Sequence, residues 1–446
     1  MAYSPSPVAG VVPLYAVELA ARVMTAGRVV VYAGAGISIS PPTSLPSGAN
    51  LSRAIHSQFD GSFNFSDGLD SGDLVAMADE VAATADGVAA LRQVAVLAAD
   101  FKTARPGYTH RVLAYLMLEG VIDVLTTNWD TCIERGAGEE QLGAVVTDGD
   151  LRMVTPPSVL KIHGCATRPD SLLVTSAHLS APPQWVAEQT HARLGSAVVV
   201  FLGIGDVAGY VKQRIQEAVR QVGAIDNIRV VSPSINTGWE ESQWSTVAPA
   251  LSEDRRIGKT SDEFVDSFAA AYVQACFKHH GLPLMSGGAL RDAYIKAKDA
   301  LCASDPLNVL SWARKADIKH KAGKSVLRST EMASVLVALG ILVDDEACLD
   351  HRSSLIRTVD GPIEVLISSE TVLTRQLVDE AEERLAEHLA AGAEPPRFLI
   401  SRGIGPVLRS TLLPQDILAE TKATDILDGP RSGLPEILLA DEVIAS

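Results

Sequence analysis

The sequence contains few cysteines, and none of them follows a metal-binding or disulfide pattern. The five cysteines lie far apart and form no C-x-x-C pair: Cys132, Cys165, Cys276, Cys302 and Cys348. Zinc ribbons and disulfide-rich domains both require closely spaced cysteines. We therefore expect buried thiols, no zinc module and no bound metal.

Long hydrophobic runs are also missing. The run from Ala197 to Ile204 contains Gly203 and has the length of a strand, whereas a membrane span needs roughly 20 apolar residues. The N-terminal residues lack the basic start and apolar core of a signal peptide. We expect a cytoplasmic protein that does not contact a membrane.

Positive charge is scarce. The chain has 38 Lys and Arg against 54 Asp and Glu, for a formal net charge of −16. This balance excludes a protein that coats nucleic acid with its whole surface. The remaining candidate surface for nucleic acid is one local basic patch, which we interpret as a solvated helix face. The patch consists of Arg314, Lys315, Lys319, Lys321, Lys324 and Arg328.

The length of 446 residues exceeds what one hydrophobic core usually supports. With 47% hydrophobic and 21% charged residues, the composition is that of a globular protein. The segment from Gly281 to Gly288 is typical of a linker. We predict two domains, residues 1–282 and residues 289–446.

Apolar strand-like runs alternate with helical patterns in the first domain. The predicted strands are Arg28 to Ala33, Val121 to Leu125, Val159 to Ile162, Ala197 to Leu202 and Ile228 to Val231. The predicted helical regions are Tyr15 to Thr25, Gly72 to Ala99 and His110 to Leu118. This alternation predicts a Rossmann-like, doubly wound parallel α/β sheet.

The second domain is predicted to be a smaller α/β module. Residues 289–350 have a broken helical pattern. They are followed by a strand from Ile363 to Ile367, an acidic amphipathic helix from Thr371 to Ala391, and a strand from Arg397 to Ile400. We expect this domain to regulate the first one or to bind a partner.

Polar or glycine-rich residues follow every predicted strand of the first domain. The strand ends are Gly34-Ala35-Gly36-Ile37-Ser38, Thr126-Thr127-Asn128-Trp129-Asp130, His163-Gly164, Gly203-Ile204-Gly205-Asp206 and Ser232-Pro233-Ser234. Ligands of doubly wound sheets bind beyond the carboxyl ends of the strands. Glycines allow the backbone to approach an anion closely. We predict one polar crevice with glycine-rich backbone for phosphate, amide and hydroxyl groups for ribose and base, and one imidazole.

The order of these motifs resembles the sirtuin (SIR2) family, and especially the SIR2-like NAD-hydrolysing domains of bacterial antiphage defence proteins. The resemblance covers about residues 13 to 280. It rests on Gly-Ala-Gly-Ile-Ser, Thr-Thr-Asn-Trp-Asp and Lys-Ile-His-Gly in this order, followed by a strand with Gly-x-Gly. It implies a SIR2-like fold and NAD as the substrate.

The resemblance also implies roles for individual residues. Gly34, Ala35 and Gly36 would hold the pyrophosphate. Asn128 and Asp130 would surround the nicotinamide and its ribose, and His163 would be the catalytic base. Asn128 and His163 are thus the predicted catalytic pair, and the remaining predicted NAD contacts are Ser38, Thr127, Gly203, Gly205 and Ser232, with Asn236 an equal candidate to Ser232 for the adenine ribose.

Departures from the deacylase pattern narrow the predicted reaction. Deacylating sirtuins carry a four-cysteine zinc module, which this chain cannot build. Thr127 replaces the glutamine that usually precedes the asparagine, and the segment from Pro41 to Gly48 lacks the family's Phe and Arg. These differences disfavour a peptide substrate and favour water as the acceptor.

We therefore predict a gated NAD hydrolase, a homo-oligomer with a protein partner or trigger that acts through the C-terminal domain. The alternatives are an NAD-dependent protein deacylase or ADP-ribosyltransferase, and a non-catalytic sensor of NAD or ADP-ribose. His110 lies at a predicted helix start and is interpreted as a structural, hydrogen-bonding histidine.

Overall fold

The computed structural model describes residues 3–59, 61–84, 86–138, 140, 142–195, 197–204, 209–281, 288–319, 323–368, 374–401 and 435–445. The chain divides into two compact units. The first is built on Pro13–Phe268, and the second on Ala269–Ser446 together with Pro5–Val12. The division falls within the helix Ser261–Gly281, and the domain boundary at residues 282–289 stays a prediction.

The first unit contains a seven-stranded, all-parallel sheet. Its strands are β1 (Val29–Ala33), β2 (Asp123–Thr126), β3 (Gly143–Val145), β4 (Ser158–Lys161), β5 (Val198–Leu202), β6 (Ile228–Val231) and β7 (Arg256–Ile257), in the order β3-β4-β2-β1-β5-β6-β7. Strands β1, β5 and β6 are buried along their whole length. This explains their continuous Val, Ile and Leu runs, because both faces of such a sheet are covered.

Helices of the first unit connect these strands and cover the sheet on both sides. They are α1 (Leu14–Met24), α2 (Gly48–Phe59), α3 (Leu74–Ala82), α4 (Gly87–Leu97), α5 (Tyr108–Leu118), α6 (Asp150–Met153), α7 (Ser176–Ser180), α8 (Gln184–Leu194), α9 (Gly209–Val222), α10 (Gln243–Val247) and the first part of α11 (Ser261–Gly281), which continues into the second unit. The helical region predicted at Gly72 to Ala99 is two helices, and Asp86 between them has a positive φ of 61°. The doubly wound fold is confirmed.

Strand order reverses next to β1. Val31 of β1 pairs with Val124 of β2 on one side and with Val200 of β5 on the other. The chain fills the β2 side first and then returns to add β5. The carboxyl ends of β1 and β5 therefore form the topological switch point, where doubly wound sheets bind their ligands.

The second unit contains a five-stranded mixed sheet. Its strands are β8 (Cys348–Leu349), β9 (Ile356–Arg357), β10 (Ile363–Leu366), β11 (Arg397–Ile400) and β12 (Ile437–Leu439), in the order β12-β11-β10-β9-β8. Strands β10, β11 and β12 are parallel, and β8 and β9 are antiparallel. The described helices are α12 (Gly288–Cys302), α13 (Pro306–Ala316), α14 (Thr330–Leu342), α15 (Thr374–Ala390) and α16 (Ala440–Ala445). The smaller α/β module is confirmed, with Thr371 outside the described residues.

Two sequence-based expectations need correction. Cys348 is exposed, whereas the other four cysteines are buried as free thiols. Arg314 is also buried, so it does not belong to a solvated basic face, and Lys321 lies outside the described residues. None of the helices in the described ranges combines the length and apolar character that a membrane span requires.

Candidate functional site

A cavity of about 430 Å³ lies at the carboxyl ends of the central strands of the first unit. This volume is in the range of small-molecule sites, roughly 300–1,000 Å³. The structure brings these predicted residues together in its wall: Gly34, Ala35, Gly36, Ser38, Thr127, Asn128, Asp130, His163 and Gly203. The rest of the wall includes the apolar residues Leu45, Leu51, Leu74, Val75, Phe101, Leu173, Val174 and Leu179. One cavity thus offers both polar and apolar groups to a ligand.

Two predicted contacts are not among the residues that line this cavity. Ser232 lies just after β6, where its backbone N–H donates to the carbonyl of Ile257 at 3.1 Å. Its hydroxyl is 3.5 Å from that of Ser234. Gly205 lies outside the described residues.

The glycine turn after β1 touches the end of β5 directly. The backbone N–H of Gly36 donates to the carbonyl of Gly203 at 2.7 Å, and that of Gly34 donates to Leu202 at 2.9 Å. A Cβ on Gly36 would lie 2.6 Å from the Gly203 carbonyl oxygen. Only glycine permits this approach. Two of the three turn amides therefore donate to the carboxyl end of β5 and the residue that follows it.

Asn128 is fixed by the loop that follows β2. Its backbone N–H donates to the hydroxyl of Thr126 at 3.0 Å, and the N–H of Thr127 donates to the carbonyl of Ala33 at 3.0 Å. The Asn128 side chain donates through Nδ2 to Ser38 Oγ at 3.1 Å. Its Oδ1 is buried and has no hydrogen-bond partner in the described part of the chain. Buried acceptors are rarely left unpaired, so this oxygen is suited to accept from a ligand.

Asp130 is a buried residue of the cavity wall. Its Oδ2 accepts from the Ser38 hydroxyl at 3.0 Å, and its Oδ1 accepts from the backbone N–H of Cys132 at 3.0 Å. Burial alone would raise the pKa of Asp130, but the Lys161 ammonium group and the hydrogen bonds from Cys132 and Ser38 hold it below the usual value. Asp130 is therefore an ionised carboxylate that anchors Ser38.

His163 follows β4, and its side chain is only 7% exposed. Its carbonyl accepts from the N–H of Leu173 at 3.2 Å. The next residue, Gly164, has φ of +88°, and a Cβ there would lie 2.3 Å from the carbonyl oxygen of Ser171. The tight turn that carries the imidazole to the cavity therefore requires glycine at this position.

A buried ion pair under the site was not predicted from the sequence. Lys161 at the end of β4 pairs with Glu134, with Nζ 3.0 Å from Oε1. The same ammonium group donates to the backbone carbonyl of Asp130. Burial lowers the pKa of Lys161, but Glu134 and the other negative groups nearby together hold it above its usual value, so the lysine stays charged. The only sequence signal was the lysine of Lys-Ile-His-Gly, two residues before His163.

His110, Asp130 and Cys132 have potential metal-ligand atoms within 4.8 Å of one another. Both ring nitrogens of His110 have hydrogen-bond partners, Ser38 Oγ at 3.0 Å and the Gly107 N–H at 3.1 Å. Burial raises the pKa of the Cys132 thiol far above its usual value, which disfavours the thiolate that binds metals. These residues suit a hydrogen-bonded network better than a metal centre. The absence of metal stays a prediction.

Comparison with known proteins gives a family match for part of the chain. Residues 123–244 match the sequence model of the SIR2-like domain, and this segment contains Asn128, Asp130 and His163. This part of the chain is therefore similar to SIR2-like domains. No curated protein matches the chain.

Solved structures give a distant likeness. A Sir2 mutant with a p53 peptide and NAD is 16% identical, covers 56% of this chain and 95% of its own, and has a TM-score of 0.31. A Sir2 homologue in complex with NAD is 15% identical, covers 58% of this chain and 94% of its own, and has a TM-score of 0.33.

Proposed function

We propose that this chain binds NAD in the cavity and hydrolyses its nicotinamide–ribose bond to nicotinamide and ADP-ribose. The observation that supports this most is the meeting of the Gly34–Gly36 turn, the Asn128 amide and the His163 imidazole in one cavity at the switch point. These groups come from three different strands. The SIR2-like match of residues 123–244, which include two of them, supports the same substrate.

The cavity has the groups that NAD requires. The backbone approach of Gly36 to Gly203 leaves no side chain in the way of a pyrophosphate. The buried Oδ1 of Asn128 needs a hydrogen-bond donor, which a ribose hydroxyl or a water supplies. The apolar residues of the wall offer an uncharged surface for a flat ring such as nicotinamide.

The reaction breaks the bond between the ribose C1′ and the nicotinamide nitrogen. The bonding electrons leave with nicotinamide, which becomes neutral, and positive charge develops on the ribose. Water then bonds to C1′ and loses one proton. His163 is the proposed acceptor of this proton, because a neutral imidazole has an unprotonated nitrogen that can act as a general base. Asn128 is proposed to orient the water or a ribose hydroxyl without adding charge.

The decisive experiment incubates the purified chain with NAD alone and separates the products by chromatography. We expect nicotinamide and ADP-ribose, or a cyclised form of ADP-ribose, in equal amounts. Calorimetry with NAD is run in parallel, so that binding and turnover are measured separately. Binding without turnover, in the presence of every tested partner, would favour the sensor alternative. Nicotinamide release that requires an acylated or acceptor peptide would favour the deacylase or transferase.

The biological setting is a further part of the proposal. We propose a cytoplasmic effector of bacterial antiphage defence that acts by NAD depletion, as a homo-oligomer whose activity is released by a trigger or partner at the second unit. The motif order supports this setting. Purified chain that hydrolyses NAD at full rate without any trigger would contradict the gate.

A further inference from the structure

A buried histidine that does not line the cavity is linked to Asn128 through one hydroxyl group. His110 lies in the first turn of α5, and its side chain is fully buried. Its Nε2 is 3.0 Å from Ser38 Oγ. The same oxygen accepts from Asn128 and donates to Asp130. Ser38 is therefore the centre of a network that joins the loops after β1 and β2 to α5.

The proton positions in this network follow from one backbone group. The N–H of Gly107 donates to Nδ1 of His110 at 3.1 Å, so Nδ1 must be unprotonated. Burial lowers the pKa of His110, which favours the neutral ring. A neutral imidazole with Nδ1 as acceptor carries its proton on Nε2. His110 therefore donates to Ser38.

The acceptor of the Ser38 hydroxyl proton is then fixed. It has a single proton, and Asp130 is an acceptor only, so this proton points at Oδ2 of Asp130. The remaining lone pair of Ser38 can be satisfied only by a donor. Asn128 must therefore present its Nδ2 to Ser38, which leaves its Oδ1 as the unpaired acceptor.

This order of hydrogen bonds also excludes a hydrolase triad, although serine, histidine and aspartate meet here. A general base must accept the serine proton through an unprotonated nitrogen. In this network the nitrogen that faces Ser38 carries a proton. His110 thus cannot act as the imidazole base that a serine nucleophile of a triad requires.

We propose that His110 is a positioning residue that, through Ser38, holds Asn128 with its carbonyl oxygen available to the ligand. The site then selects a hydrogen-bond donor at this point, a water or a ribose hydroxyl. The proposal rests on the proposed function for its kinetic consequences, whereas the proton positions do not depend on any reaction.

The first test measures the proton positions directly. Selective ¹⁵N labelling of histidine and long-range ¹H–¹⁵N NMR report the tautomer, and the spectrum of His110→Gln assigns the signal. We expect His110 to be neutral at neutral pH with its proton on Nε2. A charged ring, or a proton on Nδ1, overturns the proposal even if the chain hydrolyses NAD. If the expected tautomer is found, the inferred hydrogen-bond network stands even if the chain does not turn over NAD.

The second test is kinetic. His110→Leu removes the donor and should lower kcat about tenfold or more with KM for NAD nearly unchanged, since misoriented groups cost rate rather than binding. His110→Gln keeps one acceptor and one donor and should restore most of kcat. The matched control is Thr109→Val, which removes a 2.5 Å bond to Asp262 in the same helix turn without touching Ser38.

A double-mutant cycle separates positioning from general destabilisation. In the Asn128→Ala background, His110→Leu should have no further effect on kcat, because the group that it positions is gone. If the two substitutions instead lowered kcat by independent factors that multiply, His110 would act through a group other than Asn128. That result would overturn the proposal. The proposal would also be overturned if Thr109→Val lowered kcat as much as His110→Leu does.

Discussion

The two sheets of this chain both contain parallel strands, but they end in different chemistry. In the first unit, β1, β2, β4 and β5 end in glycines, an amide and an imidazole that line one cavity. In the second unit, the residues described directly after β10 and β11 include the buried serines Ser368 and Ser401. In the first unit, the candidate site forms where backbone free of side chains lies next to a polar atom that lacks a partner among the described residues.

The ion pairs of the two units differ in the same way. Lys161 and Glu134 of the first unit are buried, and Lys161 also holds the Asp130 carbonyl. Arg384 of the second unit pairs with Glu364 at 2.8 Å on a partly exposed face. His388 is a further partner of Glu364 at 2.8 Å. The first pair supports the site, whereas the second joins α15 to its sheet.

The largest expected effect contrasts these two pairs. Lys161→Met leaves the Glu134 charge buried without its partner, and we expect a loss of about 3–5 kcal/mol in the free energy of unfolding. Arg384→Met should cost less, about 1–2 kcal/mol, because both side chains keep some contact with solvent and Glu364 retains His388 as a partner. Urea denaturation measures both. The double variant Lys161→Met/Glu134→Leu should recover most of the loss, and an equally unstable double variant would assign the effect to packing instead of charge.

The next largest effect is on the rate of nicotinamide release. The same amino-acid substitutions are compared in the two units. His163→Ala and Asn128→Ala should each lower the rate of nicotinamide release about a hundredfold or more, the scale of a positioned acid–base group. His388→Ala and Asn308→Ala make the same changes in the second unit and should leave the rate within about twofold. Wild-type turnover in both first-unit variants, with normal NAD binding, would show that the site is assigned wrongly.

Most of the fold could be predicted from the sequence because its strands are long apolar runs. Val29–Ala33 and Val198–Leu202 were predicted to within one residue. Strands β3 and β7 were missed, since they have only three and two residues. Their pairing depends on the neighbouring strand, and no local pattern encodes that.

The site was predictable only in part. Strand-end residues such as Asn128 and His163 were found because the doubly wound topology places them at one edge. The bonds of Ser38 to His110 and Asp130 join residues 72 and 92 positions apart, and spacing along the chain does not reveal them. His110 was predicted as a helix-start histidine. The hydrogen bond that His110 accepts from Gly107 agrees with that prediction. Its hydrogen bond to Ser38 is visible only in the folded structure.

A smaller effect is expected when a glycine that lies close to a backbone carbonyl is replaced in each unit. Gly36→Ala would place a Cβ 2.6 Å from the Gly203 carbonyl oxygen, and Gly340→Ala would place one 1.7 Å from that of Ala293. Each should cost about 1–3 kcal/mol of stability. Only Gly36→Ala should also weaken NAD binding, measured by calorimetry, because its turn lines the cavity. Gly288→Ala, with no atom within 4 Å, is the control.

Equal losses of NAD affinity in Gly36→Ala and Gly340→Ala would contradict this contrast. They would show that the second unit contributes to binding, and the division of labour between the units would have to be abandoned. Unchanged affinity in Gly36→Ala would instead remove the glycine turn from the NAD site.

The smallest expected effect is the acid response of one buried histidine in each unit. Burial lowers the pKa of both His110 and His280. In the unfolded chain each imidazole takes up a proton near its ordinary pKa of about 6.5, while the folded chain keeps it neutral. The stability is therefore complete above about pH 6.5 and falls as the pH decreases, by at most about 1.4 kcal/mol per pH unit for each histidine. Asp130, whose pKa is lowered, acts in a separate window below about pH 4.

Hydrogen exchange with mass spectrometry resolves the two units. Protection of Val29–Ala33 reports the first unit, and protection of Thr330–Leu342 reports the second. His110→Gln should flatten the pH dependence of protection only in the first segment, because Gln has no proton to gain, and His280→Gln should flatten it only in the second. The Nε2 of His280 donates to the backbone carbonyl of Leu327 at 2.6 Å within the second unit. A single substitution that flattened both segments would mean that the units unfold together, and the contrast between them would then hold for chemistry but not for stability.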